Sequence, residues 1–437
     1  MTFLNGEPSP QTDISAIAKS GENAFVKGAV HNIRNMGEFA FIILRTAKNV
    51  VQCVYSPEFS QFNIADLKEG DWIEITGCVS TDERAANGFE IRIKTVKVLS
   101  SAAEEFPFAI NKKILNLNID TNLNYRPLTL RNPAQRAIFR IQEGIAKGFS
   151  EFMQMQGFTE VHTPKIACAG AEGGANIFKL DYFGTKAYLA QSPQLYKQTM
   201  VGVFERVFEI APVYRAEKHS TSRHLNEYIG LDFEMGFIDS MVDVMQMETA
   251  MLRNVIKVLK TEYEYELKLL KADLPEIVDI PCITFAEARD IIISYGNKAG
   301  KWDLEPEDEV TLCNYAKEKY GSEFIFVTHY PTAKRPFYAM EDPADERFTL
   351  SFDLLFRGLE VTSGGQRIHD YNMQVEKMKR MGIDPADFES YLMIFKYGMP
   401  PHGGLGLGLE RLTMKLLNLK NIRETSLFPR DINRLEP

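Results

Sequence analysis

Between Phe25 and Leu99 the chain is dominated by short segments in which apolar and polar residues alternate, and this period of two constrains the fold more than any other feature. The segments run FVKGAVHNI (25–33), EFAFIILR (38–45), NVVQCVYS (49–56), WIEITGCVS (72–80) and FEIRIKTVKVL (89–99). They are rich in Val, Ile, Phe and Thr and are broken by turn formers such as Asn87-Gly88, so five strands are expected. The segment Pro57–Leu67, between the third and fourth, reads as helical.

Five strands with a helix after the third suggest a small Greek-key barrel of the oligonucleotide-binding type. A small β-barrel without a ligand fits the same stretch. Ser100–Leu130 carries two prolines, several Asn and Lys and little periodicity, and reads as a hinge. After Pro133, apolar residues at Ile138, Ile141, Ile145, Phe149 and Phe152 mark a helical stripe that ends near Gly157. Further on, FERVFEIAPVYRA and YIGLDFEMGFI read as long strands joined by a polar loop. Residues 241–271 read as a helix, with shorter helices at 284–295 and 306–320 that look like an insertion. FTLSFDLLFRGLEVTSGGQ is strand–turn–strand, and GLGLGLERLTMKLL is a Gly-rich strand running into a helix. Runs of strands beside long helices favour an antiparallel α+β architecture over a doubly wound one.

The chain has 437 residues, enough for two or three domains. Hydrophobic content of 45% and charged content of 25% exclude disorder, collagen and coiled coil. No apolar run approaches the roughly 18–20 residues of a membrane span. Met1–Ser15 also lacks the layout of a signal peptide, so a soluble, cytoplasmic protein with no membrane role is expected. A net charge of −9 argues against a generic nucleic-acid binder. The cysteines at 53, 78, 168, 282 and 313 form no C-x-x-C, and neither H-E-x-x-H nor G-x-x-x-x-G-K-[ST] occurs. If the chain uses ATP, it binds it without the usual phosphate loop.

Three segments carry the charge that chemistry needs. Arg215–Tyr228 reads RAEKHSTSRHLNEY, a run that would ordinarily be a solvated loop. Glu360–His369 reads EVTSGGQRIH, and Pro400–Arg411 reads PPHGGLGLGLER. Repeated glycines let a backbone approach a ligand closely. Together these segments resemble the motifs of the class II aminoacyl-tRNA synthetases. The first motif would be the helix from Pro133 with GFTEVHTPKI (157–166), the second FEIAPVYRAEKHSTSRHLNEYIGLDFEM (208–235), and the third HGGLGLGLERL (402–412). With EGGANIF (172–178), QSPQLYKQ (191–198) and FDLLFRGLEVTSGGQRIHDY (352–371), the whole is similar to the aspartyl branch of the archaeal and eukaryotic kind, from about residue 25 to LFPRD (427–431).

That resemblance implies an OB-fold anticodon-binding domain at 1–102, a hinge at 103–130 and a class II catalytic domain at 131–437. The catalytic domain would be an antiparallel β-sheet flanked by helices, with a helical insertion around 240–345. It implies activation of L-aspartate by ATP and transfer to tRNA(Asp), and it leaves open whether tRNA(Asn) is charged too. It also implies a homodimer, with Pro164 at the interface. Arg215 resembles the ligand of the ATP α-phosphate and Arg411 that of the γ-phosphate, and these two are the catalytic candidates. The arginine fork suits both, since it pairs with phosphate oxygens and stays charged. Arg223 and His224 would cover the triphosphate, Glu217 would accept from the adenine amino group, and Tyr228 would stack on the ring. Leu225, Gly408, Leu409 and Glu410 complete the implied ATP contacts. Glu360 and Ser363 match a Mg²⁺ site of hard oxygen ligands. No general base is required, because the attacking carboxylate is already ionised.

For the amino acid, the resemblance implies that Lys197 and Arg367 hold the β-carboxylate with Gln194 beside them. Glu172 would bind the α-ammonium, and Arg215 and Ser363 would also touch the substrate. Asparagine would leave the two cations without a charged partner, which a site built of polar groups rejects strongly. The asparaginyl relatives lack the lysine of QSPQLYK, so Lys197 favours aspartate. In the barrel, Phe41 and Gln52 match residues that stack on and hydrogen-bond anticodon bases, with Arg34 nearby. His31 sits where strict and relaxed anticodon recognition diverge. An asparaginyl-tRNA synthetase, or a paralogue that binds RNA without charging it, are the competing expectations. Acids and bases balance between Phe25 and Ser100, so tRNA contact there would rest on shape and stacking.

Overall fold

The computed structural model describes residues 14–47, 49–85, 87–168, 176–219 and 221–436, and Glu172 lies outside them. The chain divides into two compact units, Met1–Gln135 and Arg136–Pro437.

In the first unit a short helix, α1 (Ile14–Lys19), precedes five strands: β1 (Ala24–Asn35), β2 (Ala40–Arg45), β3 (Val50–Tyr55), β4 (Trp72–Thr81) and β5 (Phe89–Ser100). They close into a barrel in the order β1-β2-β3-β5-β4. The alternation anticipates this closure, because one face of every strand turns inward. Val26, Ile42, Leu44, Val51, Ile73 and Ile91 fill the interior and are essentially inaccessible. Pro57–Leu67 is not a helix. It holds a single 3-10 turn at Ile64–Asp66, capped by the Asn63 side chain. Ser60 Oγ donates to the Ile93 carbonyl of β5 at 2.7 Å, and Gln61 N donates to the Lys94 carbonyl at 2.8 Å, so the segment is tied to the barrel in place of its own helical bonds. The stretch read as a hinge contains α2 (Ile119–Asn124) and α3 (Arg126–Thr129), too short to show a period.

The second unit opens within α4 (Pro133–Met155), whose predicted stripe is buried throughout. β6 (Thr159–Glu160) follows, then a three-stranded sheet of β7 (Ile166–Ala167), β8 (Lys179–Tyr182) and β9 (Thr185–Leu189). Next come α5 (Gln194–Phe204), β10 (Arg206–Tyr214), β11 (Glu227–Gly236), α6 (Met241–Glu262) and α7 (Glu264–Leu270). The segment 240–345 also contains β12 (Cys282–Thr284), α8 (Phe285–Ser294), α9 (Pro306–Tyr320), β13 (Phe324–Thr328) and β14 (Glu341–Asp342). The chain closes through β15 (Asp345–Thr349), β16 (Ser351–Phe356), β17 (Leu359–Gln366), α10 (Tyr371–Arg380), α11 (Glu389–Lys396), β18 (His402–Gly408) and α12 (Leu409–Leu416).

Eight of these strands form one sheet in the order β12-β13-β16-β17-β18-β11-β10-β6. The six central strands are antiparallel, and only the edge pairs β12–β13 and β10–β6 are parallel. Thus 240–345 contributes two strands to the sheet as well as its helices. Phe149 of α4 and Leu252 and Leu259 of α6 pack with Phe208, Phe233 and Leu405 of the sheet in one core. α4 and α6 cover one face of the sheet, and the other face carries the polar groups described next.

Candidate active site

β11 alternates Leu231, Phe233 and Met235 with Gly230, Asp232 and Glu234. The first set enters the core, so period two turns the two carboxylates to the opposite face. Across the ladder, Gly406 and Gly404 of β18 lie opposite Asp232 and Glu234. A Cβ on Gly406 would sit 2.9 Å from Asp232 Oδ1, and one on Gly404 would collide with the Glu234 carboxylate and the Phe233 carbonyl. The glycine repeat therefore makes room for buried acids.

Two cations meet those acids. Gln194 and Lys197 lie on the buried face of α5. Lys197, 2% exposed, donates to Asp232 Oδ1 at 3.0 Å and the Leu405 carbonyl at 2.7 Å, with Glu234 at 3.4 Å. Arg367 Nε donates to Glu234 Oε1 at 2.8 Å, and the same guanidinium reaches the Gly404 carbonyl at 2.9 Å and Gln194 Oε1 at 3.4 Å. Burial pushes Asp232 above its ordinary value, outweighing Lys197. Burial also opposes ionisation of Glu234, but Arg367 and Lys197 overcome it and hold that carboxyl low. His402, at the start of β18, is fully buried, and burial pushes it down to about 4, so the ring is neutral. Its Nδ1 faces the Pro400 carbonyl at 2.9 Å and its Nε2 faces Gln198 at 3.0 Å.

A second charged group lies toward the β10–β11 loop. The loop is closed at its neck by Arg215 N donating to the Asn226 carbonyl at 2.9 Å. The Arg215 guanidinium lies 5.9 Å from the Tyr228 ring, and Glu217 accepts from Asn176 at 3.2 Å. Arg223 pairs with Glu309 of α9. His224 Nδ1 meets Thr221 Oγ1 at 2.7 Å, and burial followed by Arg411 lowers its proton affinity. Arg411, in the first turn of α12, donates to the Glu360 carbonyl at 2.9 Å, with the Glu360 carboxylate at 3.4 Å.

Glu360 reaches the cleft through a β-bulge. The register between β16 and β17 shifts at Leu354/Leu355, leaving Val361 unpaired. The extra residue brings Glu360 and Ser363 to one side, while Thr362 turns toward the core helix α6. Burial and the Asp353 charge push Glu360 up to about 7.

These groups line one cavity of about 810 Å³ in the second unit. It gathers Gln194, Lys197, Arg215, Glu217, Arg223, His224, Leu225, Tyr228, Glu360, Ser363, Arg367, Gly408, Glu410 and Arg411. Leu409 is turned into the core instead. The Glu410 carboxylate accepts from Ile229 N at 3.0 Å, and burial pushes it up to about 8, so its side chain ties α12 to β11. The sequence reading missed Arg335 and Asp353. Arg335 pairs with Asp353 at 2.7 Å and donates to Ser363 Oγ at 3.1 Å. It also missed Asp232 and Glu234, although acids at period two facing glycines at period two were a visible signal.

In the first unit, Phe41 pairs across the ladder with Arg34, and Gln52 pairs with Ile43. Phe41 and Gln52 alternate with the inward Ile42, Val51 and Cys53, so both lie on the outer face of the barrel. Phe39 packs edge-on against Phe41 at 5.3 Å, and Gln52 donates to Glu90 at 3.1 Å. His31 is buried at a bulge where the β1–β2 register shifts.

Residues 118–432 match the tRNA synthetases class II (D, K and N), and residues 24–99 match the OB-fold nucleic acid binding domain. The chain belongs to that class II synthetase family. An aspartate--tRNA(Asp/Asn) ligase of Deinococcus radiodurans is 47% identical over 95% of this chain and 96% of its own length. An aspartate--tRNA(Asp) ligase of Pyrococcus abyssi is 40% identical over 96% of this chain and 97% of its own length. Among solved structures, asparaginyl-tRNA synthetase from Pyrococcus horikoshii complexed with asparaginyl-adenylate superposes with a TM-score of 0.90. It is 31% identical and covers 98% of this chain and all of its own.

Proposed function

We infer that this chain is an aspartate--tRNA ligase, which joins the L-aspartate α-carboxylate to the ATP α-phosphate, expels pyrophosphate and passes the aspartyl group to tRNA. The observation that carries the amino-acid choice is the buried pair Lys197 and Arg367, which line the cavity with Gln194 beside them. Asp232 and Glu234 already pair both cations, so asparagine would not leave them without a charged partner as the sequence suggested; a substrate β-carboxylate entering the cavity competes for the same two cations. The uncharged amide of asparagine cannot do so. Glu172 is assigned to the α-ammonium.

The reaction is an in-line displacement at phosphorus, so the protein's work is to position groups and neutralise charge. Arg215 takes the α-phosphate, Arg411 the γ-phosphate, and Arg223 and His224 cover the chain between them. Glu217 accepts from the adenine amino group and Tyr228 stacks on the ring. Leu225 and Gly408 contribute backbone or apolar contact, Leu409 anchors α12 in the core, and Glu410 ties that helix to β11. The donor set fits Mg²⁺. No group of three or more His, Cys, Asp or Glu that could hold a metal occurs among the described residues, so Glu360 and Ser363 would share the ion with phosphate oxygens and water. Glu360, pushed up to about 7, has a deficit of positive charge that such an ion relieves. When bound, the ion supplies charge neutralisation on the phosphates.

The barrel's outer face, with Arg34, Phe41, Gln52 and the bulge at His31, is assigned to the anticodon. The catalytic domain is placed at 131–437 and the anticodon module at 1–102. A homodimer in the cytoplasm completes the reading. Exposed Met155 and Ile166, on either side of exposed Pro164, support an interface there. No helix among the described residues is long and apolar enough to cross a membrane.

Aspartate-dependent exchange of pyrophosphate into ATP is expected, with none for asparagine. Exchange with asparagine instead would move the assignment to the sister enzyme. A second reading, charging of tRNA(Asn) as well, is supported by the relatives of Deinococcus radiodurans, Thermus thermophilus and Aeropyrum pernix named aspartate--tRNA(Asp/Asn) ligase. Purified tRNA(Asp) and tRNA(Asn) transcripts charged side by side decide it: comparable rates support the dual reading, and no charging of tRNA(Asn) excludes it.

A further inference from the structure

Two polar side chains of α10 are buried although neither belongs to the charged groups described above. Gln374 Nε2 donates to the Phe337 carbonyl at 3.0 Å, and Lys377 Nζ donates to the Ala339 carbonyl at 2.5 Å. Lys377 is 1% exposed. The Glu341 carboxylate lies 3.7 Å from its amine and is shared with Arg380 at 2.7 Å. Burial lowers the proton affinity of Lys377 to about 8, with Glu341 opposing. A desolvated amine is a costly way to fill space, since an apolar side chain would pack there at no such penalty. The carbonyl it holds therefore matters.

That carbonyl belongs to a strap, residues 335–340, that lies between α10 and the end of β17. On the side away from α10, Tyr338 O accepts from Ile368 N at 3.0 Å, and Met340 N donates to Gln366 O at 3.0 Å. These two bonds bracket Arg367. The Tyr338 ring lies 5.4 Å from the Arg367 guanidinium. The strap turns at Pro336–Ala339, where Ala339 N donates to the Pro336 carbonyl at 3.1 Å, and in this turn the carbonyls of Phe337 and Ala339 meet α10 while that of Tyr338 meets Ile368 N, next to Arg367. The two α10 side chains thus grip one edge of the strap, and Arg367 is latched to the other.

We propose that Gln374 and Lys377 are positioning residues for amino-acid selection, holding the 335–340 strap and through it the Arg367 guanidinium. This rests on the assignment of Arg367 to the substrate carboxylate. Loss of either donor leaves a buried carbonyl unpaired and frees the strap to shift, which moves Tyr338 and the backbone around Arg367. The phosphate-binding Arg215 and Arg411 lie on other elements and are not held by the strap, and Arg335 at its start is anchored separately, by Asp353 at 2.7 Å and Ser363 at 3.1 Å.

Steady-state pyrophosphate exchange, with aspartate and ATP varied separately, tests this. Lys377→Met should raise the KM for aspartate about tenfold and keep that for ATP within about twofold. The preference for aspartate over asparagine should fall with it. Lys377→Gln, which keeps an N–H donor, should recover part of the loss. Should Lys377→Met fail to fold by thermal melting, Gln374→Leu carries the same expectation. An unchanged KM for aspartate, equal rises for both substrates, or no rescue by Lys377→Gln would overturn the proposal. Wild-type exchange with asparagine in place of aspartate would overturn the functional reading alone, and the same variants would then be read on the KM for asparagine.

Discussion

Arg411 and Lys197 show how differently two cations of one cavity are supported. Arg411 is partly exposed and makes its hydrogen bonds to a single neighbour, Glu360. The Glu360 side chain is 38% exposed to the open cleft and can be solvated when the arginine is gone, so Arg411→Ala should cost no more than about 1 kcal/mol of stability. The same change should lower the rate of adenylate formation by about 10²–10³-fold, the scale of removing a preorganised charge from a transition state. Pyrophosphate exchange beside a thermal melt checks both halves, and near-normal exchange would refute the phosphate role. Lys197 is the opposite case. Lys197→Met would strand Asp232 and Glu234, both buried, without one of their two cations. Breaking such a pair from one side should destabilise by about 3–5 kcal/mol, and aspartate activation should fall with it. Denaturant titration of Lys197→Met should therefore show a large shift in midpoint, where Arg411→Ala shows little.

At the scale of elements, the site is a consequence of two strands in register. β11 places Asp232 and Glu234 opposite Gly406 and Gly404 of β18, and the absence of Cβ atoms there is what leaves space for the two carboxylates. Gly404→Ala should therefore push Glu234 away from Arg367. About 1–3 kcal/mol of stability should be lost to overpacking, together with affinity for aspartate. A thermal melt and a KM for aspartate near wild-type values would contradict that account. The same pair explains what the sequence made legible. The five barrel strands, the α4 stripe and the β10–β11 hairpin were readable because each has a sustained period. The cavity residues of the three motifs were readable because each motif is contiguous. Asp232 and Glu234 were passed over because they sit inside strands dominated by Leu231, Phe233 and Met235. Arg335 and Asp353 were passed over because what joins them is a contact between a loop and β16, which no spacing encodes. The 57–67 segment failed for a different reason: Asn63 satisfies a backbone group locally, Ser60 bonds across to β5, and a helix of one turn gains too little to persist.

For the molecule as a whole, the formal charge of −9 counts every carboxylate as ionised. Burial contradicts that count at Glu248 and Glu410, each pushed up to about 8 chiefly by desolvation. Glu248, on α6, faces Thr362 of β17, and the Asp353 charge raises it further. At neutral pH both side chains are largely protonated, so the folded chain is less acidic than its composition suggests. The consequence for stability has a definite sign. Both folded-state values stand above the ordinary 4.5, so between about 4.5 and 8 the folded state binds protons that the unfolded chain has released. Stability then falls as pH rises through this window and stops falling from these groups above about 8. From pH 6.5 to 8 the loss should be about 2 kcal/mol per group, at 1.4 kcal/mol per unit. His402, held down at about 4, acts in the other direction but only below about 6.5, where an unfolded histidine gains its proton. Glu248→Gln keeps the shape and removes the titration. Its melting temperature should decline less than wild type between pH 6.5 and 8, and it should be the more stable protein at pH 8. Parallel declines in the two proteins would mean that Glu248 is not the group that carries the proton.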